Sequence, residues 1–553
     1  MSSLYACSLG LGCTLVLLGC SASPPGGADG DSTAAGGSSS GTTTGAPTTE
    51  PEIPTTSAST SDPDTTGTTG TTGTTDTTGS TGTADTTSAS TTTAPGSTTL
   101  DDDTSSGTGT TAAAVCGDGV VDLGEACDDG NLNDEDACAS DCSQAFAVEE
   151  MVAGHFHVCV RITGGRVKCW GDNPFGQLGL GDSENRGDEP GEMGAALPYV
   201  DLGAGNVVVQ LSLGQYHSCA RFTDGRVKCW GENYDGKLGL GDIEHRGDEP
   251  GEMGDALPFV DLGAGAKVLH LAASGPQTCA LLDVGRVKCW GSGINGVLGN
   301  GNTLNVGDEP GEMGDALPFI DLGPFEVSSL WKGDAGACAA LTAGGVKCWG
   351  GWTLTGIGDT EARGDEPGEM GVNLPKMQLG VVEPLSFGFG NIYSCAVFAD
   401  NNVRCWGFGN DGQLGLGKPA VFGDMPGEMG ANLIPVDLDG PAVEIAAGCA
   451  RLLDGSVKCW GIGARGALGN GSVGNIGNKP GQMGADLPPI DLGPGRTAVQ
   501  LADRLLGACA RLDDGNVKCW GTNERGELGI GDTEHRGDQP GEMGENLPAV
   551  QIF

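Results

Sequence analysis

Sulfur is the reactive atom this chain presents most regularly. Fourteen cysteines form seven C-x9-C pairs: Cys159 and Cys169, Cys219 and Cys229, Cys279 and Cys289, Cys338 and Cys348, Cys395 and Cys405, Cys449 and Cys459, Cys509 and Cys519. Paired thiols either oxidise to a disulfide or bind a soft metal. Zinc sites use closer cysteines and neighbouring histidines, and this spacing offers neither. A three-residue hairpin loop between antiparallel strands does place two such cysteines opposite each other, within reach of an S–S bond. The third loop residue must then be left-handed, and the seven copies have Gly165, Gly225, Gly285, Gly344, Asn401, Gly455 and Gly515 there, the residue types that adopt this conformation most cheaply. One cross-strand disulfide per hairpin is predicted.

Cysteine arithmetic points to the compartment. Setting aside Cys7, Cys13 and Cys20 in the N-terminal apolar run, 18 of 21 cysteines remain, four plus fourteen with none left over. That parity fits an oxidising environment. The four are Cys116, Cys127, Cys138 and Cys142, crowded among acids in residues 115–145. A segment this short needs staples to fold, and sequence does not choose among the three pairings open to it. In the same stretch Asp129, Asn131, Asn133 and Glu135 alternate like oxygen ligands for calcium, although the glycine of a calcium loop's sixth position is missing. A calcium site and a solvated acidic turn are both compatible with this pattern; no other cofactor is expected.

Other chemistry is scarce. The histidines are His155, His157, His217, His245, His270 and His535. None recurs with a paired Ser, Cys or acid, and no nucleophile elbow, phosphate loop or metal-ligand cluster is present. Binding without catalysis is therefore expected. A hydrolase or lyase acting on envelope or extracellular polymers would need an acid–base pair assembled in a channel between repeats, and a structural surface protein would need no site. The tripeptide RGD occurs at Arg186, Arg246, Arg363 and Arg536, but other copies read VGD, FGD and IGN before the same PGEMG or PGQMG frame. It is read as a turn.

Strands must position the cysteines. The Cys-Trp pairs that end at Trp170, Trp230, Trp290, Trp349, Trp406, Trp460 and Trp520 are spaced by 60, 60, 59, 57, 54 and 60 residues, a period typical of propellers and solenoids. Within one period, residues 197–202, 206–212, 217–222 and 226–231 read as short strands with tight turns, followed by one long connection. Four antiparallel strands and a crossover make a blade, so residues 146–553 are predicted to form an all-β, seven-bladed β-propeller. Residues 547–553 are expected to complete the first blade and tie the ring shut. The tryptophans face away from the disulfides by strand parity and are assigned to packing between blades.

Three resemblances add to this reading. Residues 1–20 form an apolar run too short to span a bilayer, read as an export signal. Its end, "LLGC", resembles a bacterial lipobox, which implies lipidation of Cys20. Residues 21–114 are almost wholly Thr, Ser, Gly, Ala, Pro and Asp, a disordered linker with an end-to-end distance of about 55 Å as a flexible coil. The pattern "CGDG…GEACDDGN" resembles a short cysteine-rich repeat of secreted myxobacterial proteins. Finally, "CARFTDGRVKCWGENYDGKLGLGD" and its six relatives resemble the regulator of chromosome condensation repeat family. That resemblance implies a seven-bladed propeller, gives His157 and His217 a blade-packing place, and includes secreted propellers that bind β-lactamases with one end of the ring.

A formal net charge of −45 and a pI near 4.1 exclude phosphate-backbone binding. The sequence therefore predicts a monomeric recognition module in the bacterial cell envelope, at the outer membrane or cell surface or else secreted. It would be held to the membrane by lipid alone and would bind an unknown protein partner, favouring a cationic one. The contact loops are expected at residues 173–175, 233–235, 352–355 and 408–411, where the copies differ.

Overall fold

The computed structural model describes residues 115–121, 125–133, 138–351, 355–380, 383–446 and 448–553. The signal, Cys20 and the linker fall outside them. The described residues form seven antiparallel sheets, six of three strands and the fifth of four. Their inner strands are Val148–Ala153, Val208–Leu213, Val268–Ser274, Val327–Gly333, Pro384–Phe389, Ala442–Ala446 and Ala498–Arg504. Each inner strand lies against the next, and the seventh lies against the first, so the all-β blades close into a ring. Side-chain amides stitch some of these contacts. Gln210 Nε2 donates to Leu271 O at 2.9 Å, and Gln500 Nε2 donates to Met151 O at 2.9 Å across the closure.

In every blade the two cysteines are direct register partners on the middle and third strands, as Cys159 and Cys169 are in the first. All seven pairs are disulfides, with Cα separations of 4.0–4.1 Å. The third loop residue is left-handed in every hairpin, from φ 58° at Asn401 to φ 87° at Gly515. Directly opposed positions on an antiparallel pair are close enough for this staple without bending the ladder.

The fourth strand differs from the sequence expectation. Residues 197–202 join no ladder; Val200 N donates one hydrogen bond, to Val167 O at 2.8 Å in the preceding blade. Pro198, and the prolines at the same point of every copy but the fifth, lack the N–H a ladder needs; in the fifth, where Ile434 stands there, Pro435 makes one bridge to Arg404. The other edge of the third strand carries a single bridge, Gly171 to Arg186 in blade one, and only blade five extends this to a strand, Val421–Phe422. The C-terminal segment likewise belongs first to the seventh blade, through Val550 N to Val517 O at 2.8 Å. It then reaches blade one, where Gly194 N donates to Gln551 O and the buried Lys168 ammonium donates to Ile552 O, both at 2.8 Å. The ring is tied as expected, but by a strap between blades rather than by a strand of the first sheet.

Blade-to-blade packing rests on tryptophan and glycine. Each Cys-Trp indole is buried against a glycine of the preceding blade's loop, Trp230 on Gly179, Trp290 on Gly239 and, at the closure, Trp170 on Gly529. A Cβ at these glycines would come within 2.8, 2.8 and 2.7 Å of the indole nitrogen. His157 and His217, both fully buried, bond to Ser218 Oγ at 2.8 Å and Thr278 Oγ1 at 2.9 Å in the next blade. The arginines of the RGD segments fold back on their own loops, Arg186 onto Asp182 at 2.6 Å and Arg246 onto Asp242 at 2.7 Å. They are turn braces.

Two substitutions test the closure. Gly239→Ala, at φ 68° under Trp290, is expected to destabilise the ring by about 2–4 kcal/mol in denaturant unfolding, because it adds left-handed strain to overpacking. Removal of residues 547–553 takes away the buried Leu547, Val550 and Ile552, each worth about 2 kcal/mol. It is expected to lower the melting temperature and open a protease-sensitive seam between blades seven and one; an unchanged melting temperature would refute the strap.

Candidate functional site

The cysteine-rich segment pairs in a nested pattern, Cys116 with Cys142 and Cys127 with Cys138. Asp129, Asn131 and Asn133 are exposed on its loop, while Glu135 lies outside the described residues. The organising carboxylate is instead Asp128, which accepts from the N–H groups of Gly117, Gly119 and Gly130 at 2.8–2.9 Å and of Asp118 at 3.1 Å. Glu125 and Asp128 gather near Cys142, whose sulfur is already committed to its disulfide. That sulfur is therefore no metal ligand.

The strongest surface feature lies on the end of the ring where inner strands turn into middle strands. Phe156 and Tyr216, from the turns of blades one and two, stack with centroids 5.1 Å apart. Phe175 meets Tyr216, Tyr234 and His245 edge-on at 5.3, 5.9 and 5.2 Å, and Tyr234 meets His245 at 4.6 Å. Tyr234 is 58% exposed and the other four are half-buried. Aromatic residues make up only 5% of the chain, so this concentration on two neighbouring blades is a departure from the repeat.

Two of the expected contact loops, 173–175 and 233–235, meet here. Asn173 and Asn233 themselves are fully buried, contrary to the expected exposure. Asn173 Nδ2 donates to Asp182 O at 2.8 Å while its Oδ1 accepts from Leu178 N at 2.9 Å, which organises the loop. The signal was present in the recurrence of "WG.N" in the first, second and seventh copies. Of the third loop only Thr355 is described, and it is buried. In the fourth, Asp411 accepts from Asn475 at 3.1 Å in a neighbouring blade, away from the aromatic group.

Beside this patch the central channel widens into a cavity of about 410 Å3 lined by residues of all seven blades. His155, whose ring lies 5.9 Å from Phe156, crosses it to Asp334 of blade four, with Nε2 2.9 Å from Oδ2. Ser274 Oγ donates to the same carboxylate at 2.7 Å. Burial opposes a charge on His155, yet the hydrogen bond and charge of Asp334 outweigh it and raise its pKa. The same pairing holds Asp334 below its ordinary value against the effect of burial. Lys332, also lining the cavity, donates to Gln277 Oε1 at 2.9 Å, and burial lowers it to about 7. Sequence reasoning missed this group because its members are 179 residues apart at the ion pair alone.

Models of the regulator of chromosome condensation (RCC1) repeat match residues 148–177, 208–237 and 164–221. These are the strands and loops of blades one and two, and the other five blades repeat their register. Residues 148–237 thus match the regulator of chromosome condensation repeat. The chain is 26% identical over 377 residues to human E3 ubiquitin-protein ligase HERC2, covering 67% of this chain and 7% of that protein. It is 29% identical over 276 residues to the Arabidopsis thaliana ultraviolet-B receptor UVR8, covering 49% and 55%. The chain thus spans less than two thirds of either relative, and the ligase and receptor activities belong to those proteins. Among solved structures, yeast RCC1 (Prp20) bound to Kap60 aligns at 19% identity over 65% of this chain and 79% of that one, TM-score 0.48.

The His155–Asp334 bar carries a pH signature. A histidine raised in the folded state stabilises fully below its unfolded value near 6.5 and loses that contribution as pH rises through the raised value. His155 is expected to titrate above its ordinary value by NMR, and Asp334→Asn to move the midpoint down. A midpoint unmoved by Asp334→Asn would show that the pair does not hold the proton.

Proposed function

We propose that this chain is an exported, lipid-anchored recognition module whose RCC1-repeat ring binds a protein partner and performs no chemistry of its own. The observation that carries this reading is the half-exposed aromatic group of Phe156, Phe175, Tyr216, Tyr234 and His245 on one end of a rigid ring. Large aromatic side chains that keep part of their surface in water are enriched at the anchoring centres of protein interfaces. The long-range field of a chain at −45 favours a cationic partner and speeds its encounter.

The anchoring half of the proposal rests on "LLGC" at Leu17–Cys20 and on the disulfides, which fit an oxidising envelope or extracellular space. The linker would then hold the ring away from the membrane at a distance of tens of ångströms.

The test is affinity capture from an envelope and secretome extract, with the oxidised full ring as bait and a Phe175→Ala, Tyr234→Ala double variant beside it. A partner retained in stoichiometric amount by the parent and at least tenfold less by the variant is the expected result, since two anchors at about 1.4 kcal/mol or more together suffice for that loss. Equal retention by both baits would remove the rim from the reading.

A further inference from the structure

The blades are copies of one another, so most channel positions can be compared with their equivalents around the ring. Asp503 pairs across its hairpin with Ala508, and the residues in the same register elsewhere are Ala153, Leu213, Ala273, Lys332 and Phe389. Four of these five are apolar, so a blade is built without a carboxylate here. Placing one deep in the channel costs free energy unless a counter-charge answers it.

No ion pair answers it. Among the described residues the Asp503 carboxylate accepts from its own backbone amide and makes no salt bridge. The charged groups acting on it are His155 and Asp334, which are bound to each other. Tyr393 stands close enough for Asp503 to oppose ionisation of its phenol. Lys332 and Arg504 line the same cavity but point their charges elsewhere, Lys332 to Gln277 and Arg504 to Trp520 O and Thr522 O at 3.1 Å. With His155 and Lys332 both charged, this corner is neutral against Asp334 and Asp503, and it carries one negative charge in excess once Lys332, lowered to about 7, gives up its proton. The wall of blade five is aromatic, with Phe387 and Phe389 stacked at 5.7 Å and 11° beside Tyr393.

We propose that the channel cavity binds a small organic ammonium, whose charge meets the Asp503 carboxylate and whose apolar body lies against Phe387, Phe389 and Tyr393. An ammonium with an aromatic or branched body answers both halves of the lining at once, through the unpaired carboxylate and through ring faces that attract cations. A volume near 410 Å3 suits a small molecule, and the same chemistry is offered by a lysine side chain. This site is separate from the rim, and its occupancy does not depend on the partner reading.

The pH dependence follows from the groups that face Asp503. Burial raises its pKa to about 6 against the opposing pull of His155. The ammonium binds the ionised form, so binding releases a proton below that value and tightens as pH rises through it. Lys332, lowered to about 7, loses its competing charge over the next unit and acts in the same direction.

Calorimetry on the full oxidised chain tests this, with benzylamine as the free-amine probe, N-acetyl-lysine methylamide as the side-chain probe, and benzyl alcohol and potassium chloride as controls. Saturable one-to-one binding of either amine is expected, at least tenfold tighter than benzyl alcohol and about tenfold weaker at pH 5 than at pH 7.5, as an acid of pKa near 6 requires. Asp503→Ala installs the residue that blades one and three already carry there, so the fold is retained, and it is expected to abolish amine binding. Tyr234→Ala at the rim is expected to leave it unchanged. Whichever amine binds more tightly identifies the source of the ligand. No saturable heat with either amine up to about 10 mM, a range that reaches millimolar affinity, or equal affinity in Asp503→Ala, overturns the proposal.

Discussion

Seven indoles seated on seven glycines set the geometry of this molecule. Each tryptophan of a third strand is buried in the seam between blades, and the glycine beneath it belongs to the loop of the blade before, from Gly179 under Trp230 to Gly529 under Trp170. All seven glycines have positive φ, so one residue type satisfies two demands at once: a left-handed turn and the absence of a Cβ where the indole lies. In four of the seams the indole nitrogen also donates to a carbonyl of that loop, at 3.0–3.1 Å. Because the seventh seam repeats the geometry of the other six, the ring of blades closes on itself.

The disulfides serve a different purpose. Each lies within one hairpin and joins residues already opposed by the ladder, so its bond holds a single blade together while its sulfurs pack into the core shared with the next blade. Closure falls to groups that cross the seam: the Gln500 amide on Met151, the Lys168 ammonium on Ile552 O, and the Arg525 guanidinium, whose Nη1 donates to both oxygens of the buried Asp172 at 2.9 Å. The last of these joins residues 353 positions apart and has its carboxylate desolvated, the setting in which an ion pair is costly to break.

Against this repeated frame, the functional candidates are the places where copies disagree. The rim gathers Phe175 and Tyr234 at positions where the seventh blade has Arg525 and Glu524. The channel gathers His155, Asp334 and Asp503 from blades one, four and seven, the last at a register where four of the five aligned copies are apolar. A scaffold of near-identical blades tolerates such substitutions because every blade is stapled internally, so a buried charge in one need not unravel the next. The two departures share one end of the ring and are linked by His155, which pairs with Asp334 in the channel and lies against Phe156 at the rim.

The sequence by itself determined whatever depends on short separations. A C-x9-C spacing with Gly or Asn at the turn specifies opposed cysteines because hairpin geometry is local, and a period near 60 residues specifies the number of blades. Where one residue's chemistry altered a local rule, the reading slipped: Pro198 and its equivalents withhold the N–H of a fourth strand, and Asn173 turns inward to serve backbone groups that its own loop leaves unpaired. Only the tertiary structure decided which distant residues meet. The curvature of the ring brings His155 to Asp334 and Phe156 to Tyr216, and it fixes the C-terminal segment as a strap between the last blade and the first. Those contacts depend on how seven seams add up around a circle, a sum that no window of sequence contains.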